Sequence, residues 1–127
     1  MAKYTYSSAE KLKSRKTLEQ LFAKGKSLSA FPVKLLYTEV KETDRPALQG
    51  GVGVSARNFK KAVDRNRIKR LLRESYRLNK LPLQQLLMEK EKQYALFLLY
   101  VGKELPEQGL LHSKTQELLQ QLAEKIG

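Results

Sequence analysis

Ala62-Val63-Asp64-Arg65-Asn66-Arg67-Ile68-Lys69-Arg70-Leu71-Leu72-Arg73-Glu74-Ser75-Tyr76-Arg77 is the stretch around which the rest of the chain arranges itself. Wound at 100° per residue, it places Ile68, Leu71, Leu72 and Ser75 within about 60° of one direction. Asn66, Lys69, Arg70, Arg73, Arg77 and, beyond the stretch, Lys80 gather on the opposite side, with Arg65 and Arg67 flanking the seam. An apolar stripe of that width packs a helix on a core. The other face is then a row of cations roughly 20 Å long at about 1.5 Å per residue. Lys69 with Arg73, and Arg73 with Arg77, are like charges at i,i+4 spacing, which costs helix stability. A polyanion relieves such repulsion. From Arg57 to Lys80, ten Lys/Arg stand against two acids.

The chain of 127 residues carries a formal net charge of +12, which argues for an anionic partner. Nucleic acid leads, and a membrane surface is the rival. The charge is uneven: eight bases and two acids in residues 1–34, two and three in 35–56, five and six in 81–127. The two basic blocks, 1–34 and 57–80, are expected to share one binding surface, with the remainder as scaffold. This length predicts a single domain over residues 1–127, large enough to bury a core without disulfides. The absence of cysteine excludes a disulfide framework and a zinc–thiolate site, and fits a cytoplasmic location. The longest apolar run, Tyr94 to Val101, is far short of the roughly 20 residues of a membrane span. Met1-Ala2-Lys3-Tyr4 lacks the apolar segment of a signal peptide.

Outward from the basic helix, residues 1–10 read as polar and loose. Ser14 is placed to cap a helix to about Lys24, with Leu18, Leu21 and Phe22 at i, i+3, i+4 spacing. Leu12 is placed to staple back onto it, and Gly25 to end it. A short strand is expected near Ser27–Ser29. A strand follows over Phe31 to Val40, where Phe31, Val33, Leu35 and Tyr37 alternate with Pro32, Lys34, Leu36 and Thr38. Glu42 to Leu48 reads as a loop, and Gln49 to Ser55 as a strand with Val52 and Val54 on one face and Gly51, Gly53 and Ser55 on the other. Repeated glycine on one face implies close approach by a helix or by a ligand. Asn58 is the expected cap of the basic helix, which runs from about Lys60 to Asn79, and Leu83, Leu86 and Leu87 predict a further short helix to Lys90. Tyr94 to Val101 suits a central strand buried on both faces. Gly102 to Gly109 reads as a loop, and Leu111, Thr115, Leu118, Leu119, Leu122 and Ile126 keep helical period. Strand, long helix and strand in succession predict a crossover in a mixed sheet, right-handed by default.

Catalytic chemistry is not visible in the chain. His112 is a lone histidine, more readily structural than catalytic, with no second His or Cys to complete a metal site. Gly50-Gly51-Val52-Gly53 lacks the lysine and helix start of a phosphate loop. Asp64 and Glu74 lie about 15 Å apart along the helix by its rise, too far for a carboxylate pair, and are read as partners of nearby arginines.

The run Lys60 to Glu74, centred on Arg65-Asn66-Arg67 followed by Ile68-Lys69-Arg70 and then Arg73-Glu74, closely resembles the signature of the bacterial ribonuclease P protein family. Leu12-Lys13-Ser14-Arg15 through Leu21-Phe22 and Gly25 looks like that family's first helix, and Gly51-Val52-Gly53-Val54-Ser55 like the strand that enters the signature. The resemblance implies an α+β fold, an α/β sandwich of order αβββαβα whose mixed sheet has a left-handed crossover through the basic helix. It implies the accessory protein subunit of an endoribonuclease. In that family a large catalytic RNA removes the 5′ leader of precursor tRNA with magnesium ions, and the protein supplies no catalytic group and binds no cofactor alone. Its partners are then the catalytic RNA and precursor tRNA, with no membrane and no protein partner.

Carried over by position, the residues implied to contact the catalytic RNA are Arg57, Lys60, Lys61, Arg65, Asn66, Arg67, Lys69, Arg70 and Arg73. Arginine suits bidentate phosphate contacts. Asn66 reads a sugar or base edge, or braces the helix. The implied leader cleft draws on Lys13, Arg15, Leu18, Phe22, Tyr37 and Ser55. Aromatic residues there stack on unpaired bases at roughly 1–3 kcal/mol each. Two positions depart from the family pattern: Leu18 stands where an aromatic is common, and Ala56 where the first of two lysines is usual.

Three other readings compete. A solvated helix without a partner is disfavoured because its outer face holds almost no acids. A ribosomal or RNA-chaperone module would use the same face but has no need of Arg65-Asn66-Arg67. A membrane-surface helix needs bulky apolar residues beside its cations, whereas here the apolar stripe lies opposite.

Overall fold

Alternating burial along two strands builds the framework. In the computed structural model, which describes residues 15–40 and 47–127 and only the backbone of 15–18, β1 (Lys26–Ala30), β2 (Val33–Glu39), β3 (Leu48–Val54) and β4 (Tyr94–Tyr100) form a sheet in the order β1-β2-β4-β3. β2 runs antiparallel to β1 and β4, and β3 runs parallel to β4. The helices are α1 (Arg15–Lys24), α2 (Ala62–Asn79), α3 (Leu81–Glu89) and α4 (Gln108–Ile126). The expected loose residues 1–10, the Leu12 staple, the Ser14 cap and most of the loop before β3 lie outside the described residues.

The register sorts side chains onto two faces. Val33 and Leu35 of β2, with Leu96, Leu98 and Tyr100 of β4, enter one core cluster with Ile68, Leu72 and Tyr76 of α2, Leu83 and Leu87 of α3, and Leu111, Leu118, Leu119 and Leu122 of α4. Each Ile or Leu so enclosed contributes about 1.5–3 kcal/mol relative to exposure. On the opposite face Leu21 of α1 packs with Ala95 of β4, beside Leu36 and Phe97. Among the described residues, one face is thus covered by α2, α3 and α4 and the other by α1. β4 is interior to the sheet, as its apolar run predicts.

The glycines of β3 are approached differently from the expectation. A Cβ on Gly50 would lie 2.7 Å from Cζ of Tyr76, so it is Gly50 that lets α2 close on the sheet. On the other face a Cβ on Gly53 would lie 2.6 Å from Cζ of Phe97, so the ring of the neighbouring strand, not a helix, occupies that space. Gly25 does end α1, its N–H donating to the Leu21 carbonyl at 2.9 Å.

The start of α2 also differs. Asn58 does not cap it: its Nδ2 donates to the Gly102 carbonyl at 3.3 Å, joining the turn before α2 to the end of β4. Lys61 holds the cap position with no side-chain cap bond. Arg65 Nη1 instead donates to the carbonyls of Phe59 and Lys60, both at 2.8 Å, and holds the entering turn. Among the described residues no helix is long and apolar enough to cross a membrane.

Candidate nucleic-acid interface

The buried stripe of α2 is Ile68, Leu72, Ser75 and Tyr76, and it decides which residues face outward. Arg67, Arg70 and Arg73 are exposed along one side with Asn66, and Lys69 is half-buried beside them. Arg57, Lys60 and Lys61, in the turn leading into α2, are exposed as well. Arg65 is half-buried against the turn it binds. The nine residues assigned to the catalytic RNA are therefore contiguous, on the turn and the first two-thirds of α2.

The cationic row is shorter at its far end than the helical wheel predicts. α2 stops at Asn79, and Lys80 becomes the corner residue between α2 and α3. Its side chain is buried, with Nζ 6.0 Å from the centre of the Tyr76 ring. Lys80 is thus part of the core's edge rather than of the outer face. Arg77 forms an ion pair with Glu74 one turn back, and the hydrogen bond it donates to the Glu74 carboxylate raises the Arg77 pKa above its ordinary value. From Arg67 to Arg73 the outward row spans about 9 Å by helical rise. With the turn before it, the positive surface is concentrated at the amino end of α2, where the helix dipole adds to it.

On the other face of the sheet, Phe22 of α1 stands 57% exposed while its ring meets that of Phe97 edge-on, centroids 5.3 Å apart at 65°. Gly51 pairs with Phe97 and Gly53 with Leu99, so the glycine face of β3 continues this surface to Ser55 and the basic turn. Lys34, opposite Leu99, lies on the same face. This face thus presents Phe22 from α1 and Phe97 from β4, with Arg57 in the turn beyond the end of β3. That Phe97 and Lys34 share the α1 face is not legible in the sequence, because an all-apolar strand and a two-sided hairpin conceal which alternate residues face α1. Only the register shows it.

Tyr37 is not on this face. It is 8% exposed, belongs to the core on the α2–α4 face, and packs on Tyr94 with ring centroids 6.3 Å apart. The strand register places it one residue out of phase with the α1 face, which Leu36 and Thr38 share instead. Tyr37 and Tyr94, with Lys24, Lys26, Thr38 and Glu39, line a notch of about 170 Å³ at the sheet's end. Burial first, then Glu39 and Tyr37, raises the Tyr94 pKa. Lys13 and the side chains of Arg15 and Leu18 lie outside the described residues. Ser55 is half-buried at the end of β3, and its carbonyl accepts from the Phe59 N–H at 3.2 Å.

His112 is half-buried on α4, its Nδ1 3.5 Å from Asn79 Nδ2, a contact between helices. Among the described residues no three His, Cys, Asp or Glu side chains converge to hold a metal ion.

These features define a small mixed α+β domain with a basic helix on one side of its sheet and a Phe22–Phe97 aromatic pair on the other. The family model for ribonuclease P matches residues 6–124. A ribonuclease P protein component of Porphyromonas gingivalis is 31% identical over 125 residues, covering 98% of this chain and 91% of the relative. One of Chlorobium phaeobacteroides is 35% identical over 121 residues, covering 87% and 82%. The solved ribonuclease P protein of Staphylococcus aureus shares the fold with a TM-score of 0.67 at 18% identity, over 89% of this chain and 94% of the other. That of Thermotoga maritima has a TM-score of 0.57 at 23% identity, over 93% and 98%. The chain belongs to the ribonuclease P protein family, the protein components of a tRNA-processing ribonucleoprotein.

Proposed function

We propose that this chain is the protein subunit that docks on a catalytic RNA through α2 and its preceding turn, and that holds the 5′ leader of precursor tRNA in the groove between α1 and the sheet. The observation that carries the reading is the concentration of Arg57, Lys60, Lys61, Arg67, Arg70 and Arg73, all exposed, around the amino end of one helix. Phosphate oxygens answer that charge, and each one neutralised releases counterions and steepens the salt dependence of binding. Phe22 and Phe97 offer faces and edges on which unpaired bases stack, which suits a single-stranded leader.

The protein's work in this reading is positioning. The RNA performs the hydrolysis with its own magnesium ions, and no step runs through a metal or a nucleophile on the protein. The complex is cytoplasmic, where precursor tRNA is made. The test is reconstitution with a bacterial ribonuclease P RNA at low magnesium. Cleavage of precursor tRNA is expected from the complex and none from the protein alone. Phe22→Ala should weaken binding of precursor tRNA by roughly 5-fold or more, the loss of one stacking aromatic, and leave mature tRNA binding unchanged. Equal losses for the two tRNAs would sink the leader assignment.

A further inference from the structure

A third surface stands apart from α2 and from the α1 face of the sheet. Phe31 and Pro32, between β1 and β2, face the segment from Val101 to Glu107 that links β4 to α4. Between them lies a groove of about 680 Å³, also reached by Leu110. That volume falls within the roughly 300–1,000 Å³ of small-molecule sites. Phe31 is 72% exposed, Leu105 47% and Leu110 41%, so much of the exposed bulky apolar surface among the described residues lines this one place. The Val101 N–H donates to the Pro32 carbonyl at 2.9 Å, and Tyr100 Oη donates to the Glu104 carbonyl, so the walls are held.

Two contacts join this groove to the basic turn. Asn58 Nδ2 bonds the Gly102 carbonyl, and the ring of Phe59 packs on that of Tyr100, centroids 5.9 Å apart. Tyr100 and Gly102 line the groove, while Arg57 and Lys60 are the sequence neighbours of Asn58 and Phe59 and are exposed. Lys103 adds a cation to the lining. An occupant that also answers those cations is anionic at one end, and one that fills an apolar slot against an exposed phenyl ring is flat and unsaturated at the other. A nucleotide has both properties. Glu104 and Glu107, which also line the groove, are acceptor-only groups suited to the amino edge of a base rather than to a phosphate.

We propose that this groove receives one unpaired base of the RNA that lies along α2, stacked on Phe31, with its backbone phosphates on the turn of Arg57 and Lys60. The proposal rests on the docking of RNA at α2. The experiment is a salt titration of the affinity of the full chain for ribonuclease P RNA, comparing Phe31→Ala, Phe31→Trp and Arg67→Ala with the unaltered protein. Phe31→Ala should lose roughly 5- to 100-fold at every salt concentration, the range for removing one stacking aromatic. The slope against salt should stay the same, because no phosphate contact is removed. Phe31→Trp should retain the affinity. Unchanged affinity in Phe31→Ala with a loss in Arg67→Ala overturns the groove proposal and leaves the interface standing. Unchanged affinity in both overturns the underlying reading too. A loss in Phe31→Ala with a flattened slope also overturns stacking. So does a dimer in sedimentation that Phe31→Ala abolishes while RNA affinity holds, since the groove would then serve a second copy of the chain.

Discussion

Arg65 and Arg67 sit two residues apart with the same charge and do different things. Arg65 Nη1 holds the carbonyls of Phe59 and Lys60, in place of the side-chain cap that α2 lacks. Hydrogen bonds from a charged donor contribute about 1.5–3 kcal/mol when well formed. Arg65→Ala should therefore lower stability by about 1–2 kcal/mol in chemical denaturation, as well as weakening RNA binding. Arg67 is exposed, and Arg67→Ala should change stability by no more than about 0.5 kcal/mol while reducing RNA affinity and flattening the salt slope by about one phosphate. Equal stability for the two variants would show that the Arg65 bonds do not hold the turn. A helical wheel places Arg65 only at the seam. Which backbone carbonyls it reaches depends on how the turn folds back, and that is not written in the spacing.

At the scale of elements, α2 and β3 are fitted to each other most closely at Gly50. Gly50 leaves room for the ring of Tyr76, which is 1% exposed. Gly50→Ala should cost about 1–3 kcal/mol, the usual range for overpacking, because strand backbone and a core aromatic ring must both move. Thermal unfolding measures it, and a variant as stable as the original would mean the sheet can shift away from α2. The existence of both elements is legible in the sequence: 3.6-residue period in one, alternation and glycine in the other. The partner of each glycine is not. Gly51 and Gly53 draw attention as a repeated pair on one face, yet the helix closes on Gly50 of the other face. Likewise Asn58 has the chemistry of a cap and spends it on the end of β4, since the carbonyl of Gly102 lies within its reach.

At the scale of the molecule, β4 is the spine, and a tyrosine sits at each of its ends. Tyr94 packs on Tyr37 at one end and Tyr100 on Phe59 at the other. Burial raises both pKa values, with Glu39 and Tyr37 adding at Tyr94 and Glu104 at Tyr100. A raised pKa means the folded state keeps its phenol protons where the unfolded chain has lost them. Their contribution is complete below the ordinary value of about 10 and is lost as pH rises through the higher folded values. Stability should be level through neutral pH in respect of these groups and fall in alkali, with Tyr94 and Tyr100 ionising above the ordinary phenol value of about 10 in a tyrosinate absorbance titration. Ionisation of these two at the ordinary value, with the fold intact, would contradict the burial.

Period and composition by themselves determined the elements, the apolar stripe of α2, the interior place of β4 and the gathering of positive charge at residues 57–73, because each is a local property of spacing. The Arg65-Asn66-Arg67 signature also carried the family resemblance. Tertiary structure alone decided that Tyr37 lies in the core and Phe97 on the α1 face, that Lys80 is turned inward at a helix corner, that Arg65 braces rather than projects, and that Phe31 stands over a slot beside the basic turn. Each of these depends on the register of distant strands or on where a helix stops. A shift of one residue in either moves a side chain to the other face, and only the packed chain settles which register holds.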